Sequence, residues 1–517
     1  MIRPVPRNSF QYSGFPLVSI ATLALSLASA VFSNSVAELR RLPSEDALSR
    51  LTDSSEASVF LRAEQTLRAG RAVEALVIAQ GFEASFPGSG LAFRSRLIEA
   101  WSSLALGDHR RGCRILTEVM AGTDRGAAVQ ARETLREWAK SGKLAPEELL
   151  AIPSRLSAGD TLASELAASF ASLVGKDPLV VLLPATGPYA PIGKRVAKGA
   201  MLAAEASGVK AVLLDEPSDP IEAALLVRGM LRVVVPRAVV GPLLSNTASS
   251  VAQEMARWAP SVPLLLPAAT SPGVAKLSPS AWQVNVTTSQ QGVEAARRAR
   301  NCLNASEAYV LSPKGEFGET VADGFVTEFV RLGGRIAWQR AYNAGATDFR
   351  TALEALRRTA AELARRRGQD TTRLSPVVFS PGENATEAAS MGGQASAIGL
   401  RPRWIGASGW HSRQFLLETA GRMEGAIVVT DNIPDESRTA WKAFAQKWRA
   451  AGTDVPDRLA ALGWDAAQLA LQPRIPAATH AGAQADIRFD PVGRNNVEVG
   501  VLQVGKNAFV AHACTEK

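Results

Sequence analysis

Three patterns of apolar and polar positions follow one another along the chain. The first is a charge-free apolar run from Phe15 to Phe32, preceded by Arg3 and Arg7, with Ala28-Ser29-Ala30 near its end. A basic start, an apolar stretch and a small-x-small close have the layout of a secretory signal peptide, expected over residues 1–30. The run also reaches the lower limit of a bilayer span, about 18 residues at ~1.5 Å each, so an uncleaved N-terminal anchor is the alternative. The second pattern, from about Ser54 to Val174, predicts helices: Ala, Leu, Glu and Arg dominate and β-branched residues are sparse. The third begins at Lys176-Asp177, where short apolar runs start to alternate with amphipathic helical stretches. The runs are Leu179–Leu183, Ala211–Leu214, Ala238–Val240, Val262–Leu266, Ala308–Leu311, Val377–Ser380 and Ala426–Thr430.

Continuous apolar runs between helices predict parallel strands buried on both faces. Right-handed crossovers then give an open, doubly wound α/β sheet. The third pattern is too long for one such sheet, so two lobes are expected. Ligands of such sheets bind beyond the carboxyl ends of the strands, so chemistry is sought in the loops that follow them. The first of these loops, Pro184 to Lys194, is superficially like a phosphate loop. Its glycines are one residue too far apart, and Arg195 stands where Ser or Thr would hold magnesium.

Within the helical stretch Leu67-Arg68-Ala69-Gly70 with Ala75 is echoed 37 residues later by Leu104-Ala105-Leu106-Gly107 with Gly112. Gly70 and Gly107 fall where one helix ends and the next begins. The period is close to the ~34 residues of tetratricopeptide repeats, which this stretch resembles. Helices near Ala131–Lys140 and Pro146–Ser157 are expected to complete the stack. The expected layout is a signal peptide or anchor over 1–30, a helical tetratricopeptide-like module over 37–175 and a two-lobed domain over 178–517.

Composition narrows the function classes. The chain has 517 residues, 46% of them hydrophobic, which permits large cores. Its net charge of +8 contains no Lys/Arg block dense enough for a nucleic-acid arm, so no nucleic-acid partner is expected. Cys113, Cys302 and Cys514 have no zinc spacing, and four scattered histidines make no metal motif. There is no Gly-x-Ser-x-Gly elbow, His-Glu-x-x-His or Cys-x-x-Cys. Ser408 lies near His411, but no acid in that loop could orient the imidazole. No enzyme activity and no cofactor are expected. No stretch after Phe32 reaches transmembrane length without a charge, so membrane contact is confined to the N-terminal segment, if it is uncleaved.

Six ordered motifs carry a more specific resemblance. Leu179–Ala204 contains a strand, Gly187-Pro188-Tyr189 and Ile192-Gly193 before a helix. Gly241-Pro242-Leu243-Leu244-Ser245, Pro263 to Pro272 with Pro267-Ala268-Ala269-Thr270, Gly345 to Phe349, Ala461 to Ala466 and Phe489 to Gly493 follow. Over about 178–511 the chain resembles the leucine/isoleucine/valine-binding family of type 1 periplasmic binding proteins. The resemblance implies an exported protein of the periplasm or cell envelope with a small molecule in an interlobe cleft. It places Ser245, Ala268 and Thr270 where the first lobe holds a carboxylate, with Tyr189 beside them. A helix cap and an anion site use the same N–H groups, and the sequence does not separate them.

The second lobe departs from the family. Phe317 stands where a tyrosine is common, and Gly406-Ala407-Ser408-Gly409-Trp410 lacks the carboxylate that would meet a ligand ammonium. Glu383 or Glu316 could replace it. Phe317, Phe379, Ser408 and Trp410 are expected on the second wall, opposite a donor-rich first wall, which suits a carboxylate or amide with an apolar tail. The resemblance also brings Cys302 and Cys514 into one region, as a pair that export could oxidise, and leaves Cys113 as a buried apolar side chain. An ABC permease for amino acid uptake is then the implied partner. The fusion of a helical module ahead of such a domain resembles the penicillin-binding-protein activators, for which the partner would be a membrane peptidoglycan synthase. The usual bacterial lipid-attachment cysteine of those lipoproteins is missing here.

Overall fold

A computed structural model describes residues 56–512 and 514, apart from 157–158, 373, 432, 434, 453 and 476–478. The expected signal segment lies outside these residues. The chain divides into two compact units, the first ending at Leu173 and the second starting at Val174. Among the described residues no helix is long and apolar enough to cross a membrane.

Among the described residues the first unit is helical: α1 (Glu56–Arg68), α2 (Ala72–Ser85), α3 (Ala92–Ala105), α4 (His109–Met120), α5 (Arg125–Lys140), α6 (Pro146–Ala151) and α7 (Thr161–Val174). Gly70 and Gly107 sit at φ 78° and 82° in the α1–α2 and α3–α4 turns, a conformation that costs glycine least. Asp108 and Asp124 start α4 and α5 by accepting from Arg111 N at 3.1 Å and Ala127 N at 3.0 Å. Phe60, Phe82 and Ile98 close over Ala63, Ala75 and Ala79, whose small side chains let the helices approach. Cys113 is a buried free thiol, and burial pushes its pKa up, away from reactivity.

The second unit contains two doubly wound lobes. The first sheet holds β1 (Leu179–Leu183), β2 (Ala211–Asp215), β3 (Ala238–Val240), β4 (Leu264–Leu266), β5 (Ala281–Val286) and β13 (Asn495–Asn496), in the order β13-β5-β4-β3-β1-β2. Its pairs are all parallel. The second holds β6 (Glu307–Pro313), β7 (Arg335–Tyr342), β8 (Val377–Ser380), β9 (Arg403–Gly406), β10 (Ile427–Thr430), β14 (Gly500–Val504) and β15 (Phe509–Ala511), in the order β15-β14-β10-β9-β8-β6-β7. Here β14 and β15 are antiparallel additions to a parallel sheet. A hairpin, β11 (His480–Ala481) with β12 (Asp486–Ile487), stands apart.

Helices cover both sheets, so most strand residues are inaccessible. The first lobe carries α8 (Ala190–Ala206), α9 (Pro220–Val233), α10 (Ser245–Trp258), α16 (Thr439–Ala450) and α17 (Arg458–Ala470). The second carries α11 (Thr288–Arg297), α12 (Glu316–Arg331), α13 (Arg350–Arg366), α14 (Ala385–Ala397) and α15 (Arg413–Thr419). The α8–α17 contact closes through glycines. A Cβ at Gly199 would stand 1.8 Å from the Ala460 carbonyl oxygen, and one at Gly463 would stand 1.8 Å from that of Val196. The chain crosses between sheets three times, after β5, after β10 and between β13 and β14. Cys302 and Cys514 form a disulfide with a Cα–Cα separation of 5.6 Å.

Candidate functional site

Four of the six motifs run through loops that follow strand ends, after β1, β3, β4 and β7, whereas Ala461 to Ala466 lie inside α17 and Phe489 to Gly493 precede β13. After β3, Gly241 takes φ 110°, and a Cβ there would meet the Leu182 carbonyl oxygen at 1.9 Å. Only glycine lets the β3 loop lie this close to β1, which sets where α10 begins. Ser245 is the first residue of that helix. Its Oγ accepts from the Thr270 and Ser271 amides, each at 3.2 Å. A serine oxygen has two lone pairs, so its remaining capacity is to donate its own proton. The Thr270 hydroxyl makes no hydrogen bond to any described residue. The Ser245 hydroxyl thus stands as a donor at a helix start, with Thr270 in the loop bonded to it, where the peptide dipoles favour negative charge.

The loop is held from behind. Gln283 on β5, fully buried, donates through Nε2 to Ala269 O at 3.1 Å and Ser271 O at 3.0 Å. Thr288 at the start of α11 donates its N–H to Thr270 O at 3.0 Å. These bonds fix the carbonyls on one side, leaving the amides toward Ser245. Ala268, in the same loop, is half-buried against the first-lobe core.

Two carboxylates occupy neighbouring loop amides. Asp215 Oδ1 accepts from Ala185 N at 2.6 Å and Thr186 N at 3.1 Å. Glu216 accepts from Leu243 N at 2.7 Å, Leu244 N at 3.3 Å and the Thr247 hydroxyl. Burial pushes the Glu216 carboxyl up to about 7, the three donors only partly offsetting it. The amides of the β3–α10 turn are therefore taken up by an internal carboxyl, and the Ser245–Thr270 end is not. Tyr189, at the start of α8, is 44% exposed.

The second lobe presents Phe317 in the first turn of α12, half-buried against that lobe's core. Its neighbour Glu316 is exposed and accepts from Ser271 Oγ at 3.2 Å, joining the two lobes at the rim. Glu383 is exposed, and its backbone N–H donates to Glu387 at 3.2 Å. Glu387, buried, also accepts from the Tyr342 hydroxyl at 2.9 Å and Gly345 N at 2.6 Å. Ser408 is half-buried, its N–H donating to the buried Gln291 side chain at 3.1 Å.

Two expected wall residues are not on the wall. Phe379 is fully buried inside β8 and stacks on Phe325 at 4.3 Å. A strand residue in a sheet covered on both faces points into core, however near the strand end it lies. Trp410 is also fully buried, stacked on Phe415 at 5.3 Å and packed over Gly406 and Gly382. Its indole turns inward because those glycines leave room beneath the turn. Of the three aromatics expected on the second wall, Phe317 alone keeps surface toward solvent.

The residues that sequence reading missed are the buttresses: Gln283, Thr288, Glu216 and Gln291. Only Asp215-Glu216 carried a local signal, an acidic pair directly after an apolar run.

The family model for periplasmic binding proteins matches residues 178–483, more than half of the chain. No curated protein matches. Among solved structures, a protein from Rhodospirillum rubrum assigned to branched-chain amino acid ABC transport is similar at 20% identity and TM-score 0.56, over 65% of this chain and 100% of its own. An ABC transporter substrate-binding protein from Sphaerobacter thermophilus is similar at 20% identity and TM-score 0.51, over 64% of this chain and 94% of its own. Two doubly wound lobes, three crossings, donors gathered at the strand ends and the family match agree: this chain belongs to the periplasmic binding protein family.

Proposed function

We propose that the second unit is an exported receptor for a small carboxylate- or amide-type solute, held between its lobes. The observation that carries this reading is Ser245 Oγ, saturated as an acceptor by the Thr270 and Ser271 amides and so left as a donor beside the Thr270 hydroxyl. Such a pair suits an oxygen with negative charge or a carbonyl dipole, and Phe317 offers an apolar face opposite. Ser408 and Glu383 lie in neighbouring loops, where a polar end of the solute would meet them. The family match and the ABC-transport character of the Sphaerobacter relative support an ABC permease as the receiving partner.

The test is thermal denaturation with a panel of amino acids, their amides and aromatic carboxylates. A true ligand at about one hundred times its Kd raises stability by ~2.7 kcal/mol. Thr270→Ala should weaken binding by ~1–2 kcal/mol. It should leave the ligand-free Tm unchanged, because that hydroxyl has no partner within the described chain. A panel without any stabilising compound sinks the reading.

The helical unit favours a second reading for the chain as a whole. Among its described residues the first unit is a set of helices with a core of its own, separate from the solute-binding fold. An envelope regulator would use such a unit to dock a membrane peptidoglycan synthase. Capture of a synthase by the intact chain, lost on surface substitution of α2 or α4, supports this reading. No capture by a panel of purified synthases removes it.

A further inference from the structure

The three interlobe crossings meet around a small polar cavity that the solute reading does not use. Val284 and Asn285 from the first crossing, Asp431 from the second, and Asn496 and Glu498 from the third line it, with Asp465, Gln484 and Asp486. The space holds about one water molecule. Its wall is acidic, and the charges can be counted. Asp431 is paired with Arg458, Asp486 with Arg438 and Glu498 with Arg488. Asp465 has no ion pair among the described residues. It is 3% exposed and accepts from Ala483 N at 2.7 Å and Gln484 N at 3.4 Å. One carboxyl without an ion pair therefore faces a buried space; burial pushes it up to about 7, so it is protonated below that pH and ionised above it.

A second observation points the same way. Gln484 is 2% exposed, and its Oε1 is buried without a donor from any described residue. A buried carbonyl oxygen calls for a hydrogen-bond donor or a cation, and an unpaired buried carboxylate calls for a proton or a countercharge. A water molecule satisfies the first and a proton the second, whereas one cation between the two oxygens satisfies both at once. Both are oxygen donors, which suit hard cations. Among the described residues no three His, Cys, Asp or Glu side chains converge as a divalent or transition-metal site would need. A divalent ion would also leave excess positive charge beside Arg458 and Arg438.

We propose that this cavity binds a single small monovalent cation, of sodium size, coordinated by Asp465 and Gln484, which braces the hinge. The proposal does not depend on the solute reading. Calorimetry of the full chain in sodium, potassium and choline chloride at equal ionic strength tests it. The melting of the second unit should rise by about 2 °C or more in sodium over choline, with a smaller rise in potassium. Asp465→Asn, which keeps an acceptor for Ala483 N, should abolish the sodium response. Gln484→Met, which removes the orphan oxygen without touching Asp465, should reduce it at least tenfold in apparent affinity and decides the matter where Asp465→Asn does not fold. Equal melting in all three salts means a water molecule only and overturns the proposal. So does a sodium response kept by Gln484→Met, or a stronger response to calcium than to sodium.

Discussion

Glu216 shows how one side chain can shape a site without touching a ligand. Its carboxyl closes the β3–α10 turn, yet burial raises it to about 7 from an ordinary 4.5. The folded state therefore holds the proton more tightly than the unfolded chain does. The stabilisation from that proton is complete below about 4.5 and is lost as the pH rises through about 7. Glu148 in the first unit and Asp465 in the second are also raised to about 7, mainly by burial, and slope the same way. The informative quantity is thus the difference between wild type and Glu216→Gln. The variant should flatten the dependence of stability on pH across this window by about 1–3 kcal/mol. Denaturant melts from pH 4 to pH 8 measure it; two parallel curves would show that Glu216 does not titrate there.

Elements make the fold through close approach. Gly199 and Gly463 each face a carbonyl oxygen of the opposite helix, so Gly199→Ala should destabilise the second unit by more than ~2 kcal/mol. Gly81, exposed in the middle of α2 with nothing near its absent Cβ, supplies the contrast. Gly81→Ala should raise the stability of the first unit by ~0.5–1 kcal/mol. Calorimetry of both variants, reading each transition, checks the pair. The same elements show what a sequence can reveal. β1, β3 and β8 coincide with their apolar runs, because a strand buried on both faces is apolar almost throughout, Ser380 at the end of β8 being the one polar residue among them. β5 was hidden by Gln283 and Asn285, polar residues that serve the loop and the hinge. β7 is an edge strand whose exposed arginines break the run, and β9 is four residues long with Arg403 at its start. The candidate donors of the first lobe, Ser245 and Thr270, could be picked out because their motifs lie beside strand ends. Its buttresses come from distant strands and leave no local trace. Phe379 and Trp410 were misplaced because nearness to a strand end does not determine which way a side chain turns.

At the scale of the whole molecule, covalent and non-covalent links hold the returning chain to the second lobe. Cys302 and Cys514 are 212 residues apart, so their disulfide removes a large loop entropy from the unfolded state. Reduction should lower the stability of the second unit by ~2–5 kcal/mol, and Cys302→Ser with Cys514→Ser should reproduce that loss without reductant. Melting with and without reductant reads it directly; an unchanged Tm would mean the pair contributes nothing. The central claim is that the lobes hold a carboxylate- or amide-type solute through Ser245 and Thr270. Native mass spectrometry of the intact, freshly purified chain, beside the Ser245→Ala, Thr270→Ala double variant, tests it most directly. The wild type should give an ion carrying one small molecule, released on mild activation and identified as a carboxylate or amide, and the variant should appear at the bare polypeptide mass. A bare wild-type ion that gains no mass with amino acids, amides or aromatic carboxylates would contradict it, as would a bound compound retained equally by the variant.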